Sequence, residues 1–228
     1  MANIVVVLVV ALAVFLFVRK DGGRKTDQKK YLRALARYLR VEIADGEEEV
    51  SRIQFDYKGQ TFLYEHLEDA GMHGRISHRA VLKGRTPSDL TLGFSERVRK
   101  TLRSSSNETL QDVVDNPWGG TADQVPLPKA LQDFEVHTNQ AVKAAQLLAD
   151  EQILGVFLKF KYRDSVGHPR MPLEIIGGEV VLHFAPAGEP SPNVTNIQYN
   201  VGSIEDYASQ LLPLLEKLRG GGGPGAGA

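Results

Sequence analysis

Fifteen consecutive apolar residues, Ile4 to Val18 (IVVVLVVALAVFLFV), stop at the pair Arg19-Lys20, and no other stretch of the 228-residue chain is comparable. A helix over them rises about 22 Å, or about 27 Å with Met1, Ala2 and Asn3 included, against a hydrocarbon core of about 30 Å. Thirteen of the fifteen are Val, Leu, Ile or Phe, a composition that favours insertion by roughly 4 to 8 kcal/mol. In lipid a helix is how a single segment satisfies its own backbone polar groups. Two other readings compete. A cleavable signal peptide needs a basic leading region, yet no Lys or Arg precedes Ile4, and the small-x-small triplet Ala11-Leu12-Ala13 lies inside the run. A buried helix of a soluble domain would show a polar face or turn residues, and the run has neither. The residues predict an uncleaved transmembrane anchor over 1–18.

Charge then predicts orientation. Arg19, Lys20, Arg24, Lys25, Lys29 and Lys30 follow the run, and only the terminal amine precedes it. The positive-inside rule puts the C-terminal bulk in the cytoplasm and the N-terminus outside, and makes these six cations contacts for lipid headgroups. The overall net charge of −1 hides a division. Residues 1–41 carry nine Lys/Arg and two Asp/Glu, a net of +7, and the remainder carries a net of −8. Within the basic part, Thr26–Arg40 reads as an amphipathic helix, with Tyr31, Leu32, Leu35, Tyr38 and Leu39 at three- and four-residue spacing. Such a helix either packs on the following domain or lies along the headgroups. The acidic remainder argues against nucleic acid as a partner.

Residues 42–219 suffice for one domain of ordinary size or two small ones, and the pattern predicts α+β: antiparallel hairpins covered by helices. Val50–Tyr57 and Thr61–His66 alternate about a turn at Lys58-Gly59-Gln60. Ala80–Lys83, Asp89–Phe94 and Leu131–Val136 read as further strands, and Ser95–Arg103 as a short helix. A helix over Gln140–Ala149 is capped by Asn139, and a second runs Asp150–Tyr162. Pro172–Ile176 and Glu179–Phe184 flank Gly177-Gly178, a two-residue hairpin signal. Ser203-Ile204-Glu205-Asp206 has the form of a capping box opening a helix to Arg219, which Pro213 is expected to kink or divide. Ser104–Pro128 is a long polar stretch, with a short helical pattern around Glu108–Val114. It holds the lone Trp118, which either covers the core or serves as a partner contact. Residues 220–228 (GGGGPGAGA, with Gly220 as the helix stop) read as a disordered tail.

The segment Phe134-Glu135-Val136-His137-Thr138-Asn139, followed by Ala144, Leu147-Leu148 and Leu173-Glu174-Ile175, resembles a pattern seen in uncharacterised bacterial membrane-anchored proteins. Those proteins have one or two N-terminal transmembrane segments and a cytoplasmic domain of unknown function. The resemblance covers roughly residues 130–185. It implies a bacterial inner-membrane location and brings no catalytic residues with it.

The residues carry few marks of a particular chemistry. The absence of cysteine excludes thiol catalysis, and neither a phosphate-binding loop nor the G-x-S-x-G elbow is present. Glu47-Glu48-Glu49 reads as a solvated turn, and Arg97, Arg99, Lys100 and Arg103 as a solvated helix face or an anion patch. Six histidines occur. His137 and His183 alternate out of phase with core neighbours and are expected to be exposed. His66, within Glu65-His66-Leu67-Glu68-Asp69, clusters in sequence with His73 and His78, donors suited in principle to zinc or iron, although the spacing matches no recurrent metal motif. The sequence therefore predicts a single-pass membrane protein that is more scaffold or interaction subunit than enzyme. Its expected partners are the lipid bilayer and another membrane or cytoplasmic protein, with no cofactor, metal or small molecule. The alternative is a membrane-surface enzyme with a metal or acid/base site near His66, His73 and His78.

Overall fold

A computed structural model describes residues 28–41, 52–70, 76–97, 125–187 and 192–220. The run Ile4–Val18, the cations Arg19, Lys20, Arg24 and Lys25, Glu47–Glu49, His73, the pattern around Glu108–Val114, Trp118 and the glycine-rich tail beyond Gly220 lie outside the described residues. Among those described, no helix is long and apolar enough to cross a membrane.

Alternation of apolar and polar residues in the strands builds one seven-stranded sheet whose neighbours all run antiparallel. In chain order its strands are β1 (Arg52–Tyr57), β2 (Gln60–Ala70), β3 (Ile76–Arg85), β4 (Leu92–Glu96), β5 (Phe134–Thr138), β8 (Leu173–Ile176) and β9 (Glu179–Phe184). Their spatial order is β1-β2-β3-β9-β8-β4-β5, so the late β8–β9 hairpin sits between β3 and β4. A two-stranded ribbon, β6 (Tyr162–Arg163) with β7 (Pro169–Arg170), stands apart from the sheet ladder. Residues 28–38 form helix α1, followed by α2 (Ala141–Ala149), α3 (Glu151–Phe160) and α4 (Val194–Gly220). The domain is α+β.

The apolar residues of α1 go into the domain. Tyr31, Leu32, Leu35, Ala36 and Leu39 join the same core as Phe62, Tyr64, Leu82, Leu214 and Leu215. Tyr38, expected on that stripe, is exposed. The change of charge at residue 41 is thus not a packing boundary. The helix ends in a Schellman arrangement. Val41 N–H donates to Ala36 O (2.9 Å) and Arg40 N–H to Arg37 O (3.1 Å), with Arg40 held at φ +60°.

The two tight hairpins share one device. Lys58-Gly59 and Gly177-Gly178 all have positive φ, as two-residue turns matching the strand twist require. The first turn has two residues and not three, because Gln60 already pairs with Tyr57 as the opening residue of β2. Helices cover the face bearing Phe62, Leu82, Phe94 and Val180. There Phe157 of α3 meets Phe94 at 5.3 Å between ring centroids, and Leu215 of α4 presses on Gly84.

Several element boundaries differ from the sequence pattern. Ser95 and Glu96 extend β4, so no helix begins at Ser95. β4 itself starts only at Leu92, because local bonds from Ser88 N–H to Thr86 Oγ1 and Leu90 N–H to Ser88 Oγ turn the preceding residues. Leu131 closes a 3₁₀ turn, Lys129–Leu131, and β5 begins at Phe134. Asn139 does not cap α2. Its side chain accepts from Thr91 N–H (2.8 Å) and donates to Asp89 O (2.8 Å), joining two loops, while Thr138 Oγ1 accepts from Gln140 N–H. Asp150 does cap α3, accepting from the N–H groups of Gln152 and Ile153. The capping box at Ser203 is absent. α4 begins nine residues earlier, at Val194, where Asn193 Oδ1 accepts from Thr195 N–H, and Ser203 Oγ donates to Tyr199 O inside the helix. α4 also runs undivided through Pro213.

Candidate functional site

Even-numbered residues of β2 point to one face, so Phe62, Tyr64, His66 and Glu68 form a single row. On β3 the matching row is Leu82, Ala80 and His78. The register sets Ala80 opposite His66 and His78 opposite Glu68, which makes the two histidines diagonal neighbours. Ala80 contributes only a methyl group, and the imidazoles close over the space it leaves. His66 Nε2 lies 3.3 Å from His78 Nδ1, and His78 Nδ1 lies 3.8 Å from Glu68 Oε1. Ligand atoms of all three residues fall within 4.8 Å of one another. The cluster grades from the interior to the surface: His66 is 4 % exposed, His78 is half-buried and Glu68 is exposed.

Behind His66 stand two buried tyrosines. The Tyr64 hydroxyl is 3.2 Å from His66 Nδ1, and the Tyr31 ring meets the His66 ring edge-on at 6.0 Å. The Tyr31 hydroxyl is buried without a hydrogen bond of normal geometry. Burial, reinforced by the positive charge His78 can carry, pushes the His66 imidazole down to about 4, so it is neutral near pH 7. Burial raises both phenols, and for Tyr64 the adjacent Tyr31 adds to the effect. The result is a neutral imidazole held from behind by a phenol, with a second imidazole and a carboxylate in front. Such a set can bind a cation or pass a proton.

The sequence brings His66 and His78 together by proximity along the chain, and the structure joins them through the hairpin. Of the carboxylates flanking His66 in sequence, the strand register selects Glu68 as the third member. Of the expected lipid contacts, Lys29 and Lys30 are described and lie exposed on α1 beside exposed Arg33, Arg37 and Arg40.

On the sheet's other face the sequence missed several pairings. His137 is 7 % exposed and not solvated, because Gly93 sits directly across from it and leaves room for the ring to reach Ser95. Ser95 Oγ and His137 Nε2 are 2.7 Å apart. Burial lowers the His137 pKa against the opposing pull of Glu135. His183 is half-buried and bonds to Glu174 Oε1 at 3.0 Å; on the side of β4 that carries Phe94, His168 Nδ1 bonds to Glu96 Oε1 at 2.8 Å. A cleft of about 490 Å³ opens beside Ser95, lined by Arg79, Glu96, Tyr162, Arg170 and His183 among others. Ser95 lies within a strand, not on the sharp strand-to-helix turn that exposes a serine nucleophile. The serine hydroxyl serves here as a hydrogen-bond partner for Nε2 of a buried ring.

Compared with protein-family models, with curated proteins and with solved structures, the chain matches none.

Proposed function

We propose that the chain is a single-pass inner-membrane protein whose cytoplasmic α+β domain works by binding another protein, as a scaffold or complex subunit. The observation that supports the membrane-proximal part of this reading is the packing of α1. Nine residues after the apolar run Ile4–Val18, a helix buries Tyr31, Leu32, Leu35 and Ala36 in the domain core and leaves Lys29, Lys30, Arg33 and Arg37 outward. A spacer of nine residues spans at most about 30 Å, so the domain is held close to the bilayer with a basic helix available to anionic headgroups. The buried apolar side leaves α1 little with which to insert as an interfacial helix, so headgroup contact is electrostatic. The bacterial setting rests on the resemblance over residues 130–185.

The chain has no cysteine, so single cysteines report topology without background. Asn3→Cys is expected to react with a membrane-impermeant maleimide on intact cells, and Tyr199→Cys only after permeabilisation. Full-length protein is expected to stay with membranes in alkaline carbonate and to crosslink in cells to one specific partner, less so with Trp118→Ala. Release into carbonate, or the reverse labelling pattern, overturns the anchor. A purified full chain that turns over a substrate without any partner overturns the scaffold.

A further inference from the structure

We propose that His66 Nε2, His78 Nδ1 and a Glu68 carboxylate oxygen form a binding site for a divalent transition-metal cation of the zinc class. Tetrahedral coordination with bonds of about 2.0–2.1 Å places ligand atoms about 3.3–3.4 Å apart. The two imidazole nitrogens already stand at 3.3 Å, and the nitrogen–carboxylate separation of 3.8 Å closes by rotating an exposed Glu68 side chain. No backbone movement is needed, because the antiparallel register fixes both histidines.

The donor set chooses the ion. Two imidazoles and one carboxylate suit zinc, cobalt or nickel, whereas calcium and magnesium prefer oxygen throughout. Both imidazoles bind as neutral ligands, and each keeps its one proton on the nitrogen turned away from the metal. For His66 that nitrogen is Nδ1, and the Tyr64 oxygen 3.2 Å away accepts its proton in a hydrogen bond. Tyr64 thereby sets the ring's tautomer and orientation, the task a carbonyl or carboxylate performs behind many metal-bound histidines. His168–Glu96 and His183–Glu174 also pair an imidazole with a carboxylate, but neither belongs to a group of three. Among the described residues only His66, Glu68 and His78 form such a group. Three protein ligands leave a tetrahedral ion one further position, the arrangement found where a bound water is put to use.

The test is a calorimetric titration of Zn²⁺ into the full-length chain in detergent, stripped beforehand with chelator. A parallel Co²⁺ titration is followed by visible absorption. One ion per chain is expected, with Co²⁺ bands typical of tetrahedral nitrogen and oxygen coordination. His78→Gln and Glu68→Gln, at the accessible end of the cluster, are each expected to weaken binding at least about tenfold. Tyr64→Phe, which touches no ion, is expected to weaken it by about tenfold through loss of orientation. His168→Ala with His183→Ala is expected to change nothing. Because His66 is buried, His66→Gln is read only where circular dichroism shows a folded protein. Absence of binding at micromolar Zn²⁺, unchanged affinity in His78→Gln, or loss in the His168/His183 double variant overturns the proposal. Membrane attachment is unaffected by any of these outcomes, so this site and the anchor stand or fall separately.

Discussion

A Cβ atom placed on Gly84 comes within 2.7 Å of Leu215 Cδ1, so β3 and α4 touch where a side chain is missing. Phe62 Cε1 is 3.2 Å from the same point and closes the other side. Gly84→Ala is expected to cost about 1–3 kcal/mol, since the leucine must leave its place in a packed core. Urea unfolding measures the loss. Adding Leu215→Ala should make the pair non-additive, because the second change removes the clash that the first creates.

Arg40 occupies the left-handed position that closes α1, at φ +60°, where a side chain is strained and glycine is not. Arg40→Gly is expected to stabilise the domain by about 0.5–1 kcal/mol, the relief of strain less the added freedom of the unfolded chain. A rise in the urea midpoint with an unchanged slope is the signature.

Acid is expected to destabilise the metal-free protein in a defined window. His66 has its folded pKa depressed to about 4 from 6.5, and burial also depresses that of His137. Between these limits the unfolded chain takes up protons that the folded one refuses. Stability is therefore complete above about pH 6.5 and falls as pH drops towards 4, with His66 alone accounting for about 3 kcal/mol. Urea midpoints measured across this range, in chelator, should flatten in His66→Gln. A midpoint that rises on acidification contradicts the assignment.

Glu65 is a buried carboxylate on the outer face of the sheet, 2.7 Å from Lys83 Nζ and 3.0 Å from Arg52 Nε. Lys83→Met removes its closer partner and is expected to cost about 2 kcal/mol, below the figure for a fully buried pair because Lys83 is part-exposed. Glu65→Leu combined with Lys83→Met should recover most of that loss. A double-mutant cycle read by denaturation distinguishes this from simple loss of packing.

The hairpins were legible because their signals are local. Alternation around Lys58-Gly59, and Gly177-Gly178 between two apolar runs, need only neighbouring residues, and both turns form. The apolar side of α1 was equally plain, although whether it met protein or lipid was not. What the sequence hid depends on register and on distant partners. Asn139 looks like a cap until Asp89 and Thr91, about fifty positions earlier, take up its amide. His137 looks exposed until Gly93 is found across from it. Ser203 begins a capping pattern inside a helix that Asn193 had already started. Glu68 stood beside His66 in the run Glu65-His66-Leu67-Glu68-Asp69, but nothing there separated it from Glu65 and Asp69, and only the pairing of β2 with β3 sets it opposite His78.

The position of the β8–β9 hairpin has a consequence for synthesis. β3 pairs Ala80 with Phe184 and Gly84 with Val180, partners about a hundred residues apart. When the ribosome has delivered the first three strands, the hydrogen-bonding edge of β3 has no mate, and it stays bare until the final fifth of the chain emerges. At a translation speed of about 5–20 residues per second, that wait lasts about 5–20 seconds. An unmatched strand edge is a template for pairing with a stranger. Until the β8–β9 hairpin arrives, β3 is therefore the edge at which the nascent chain is open to mispairing.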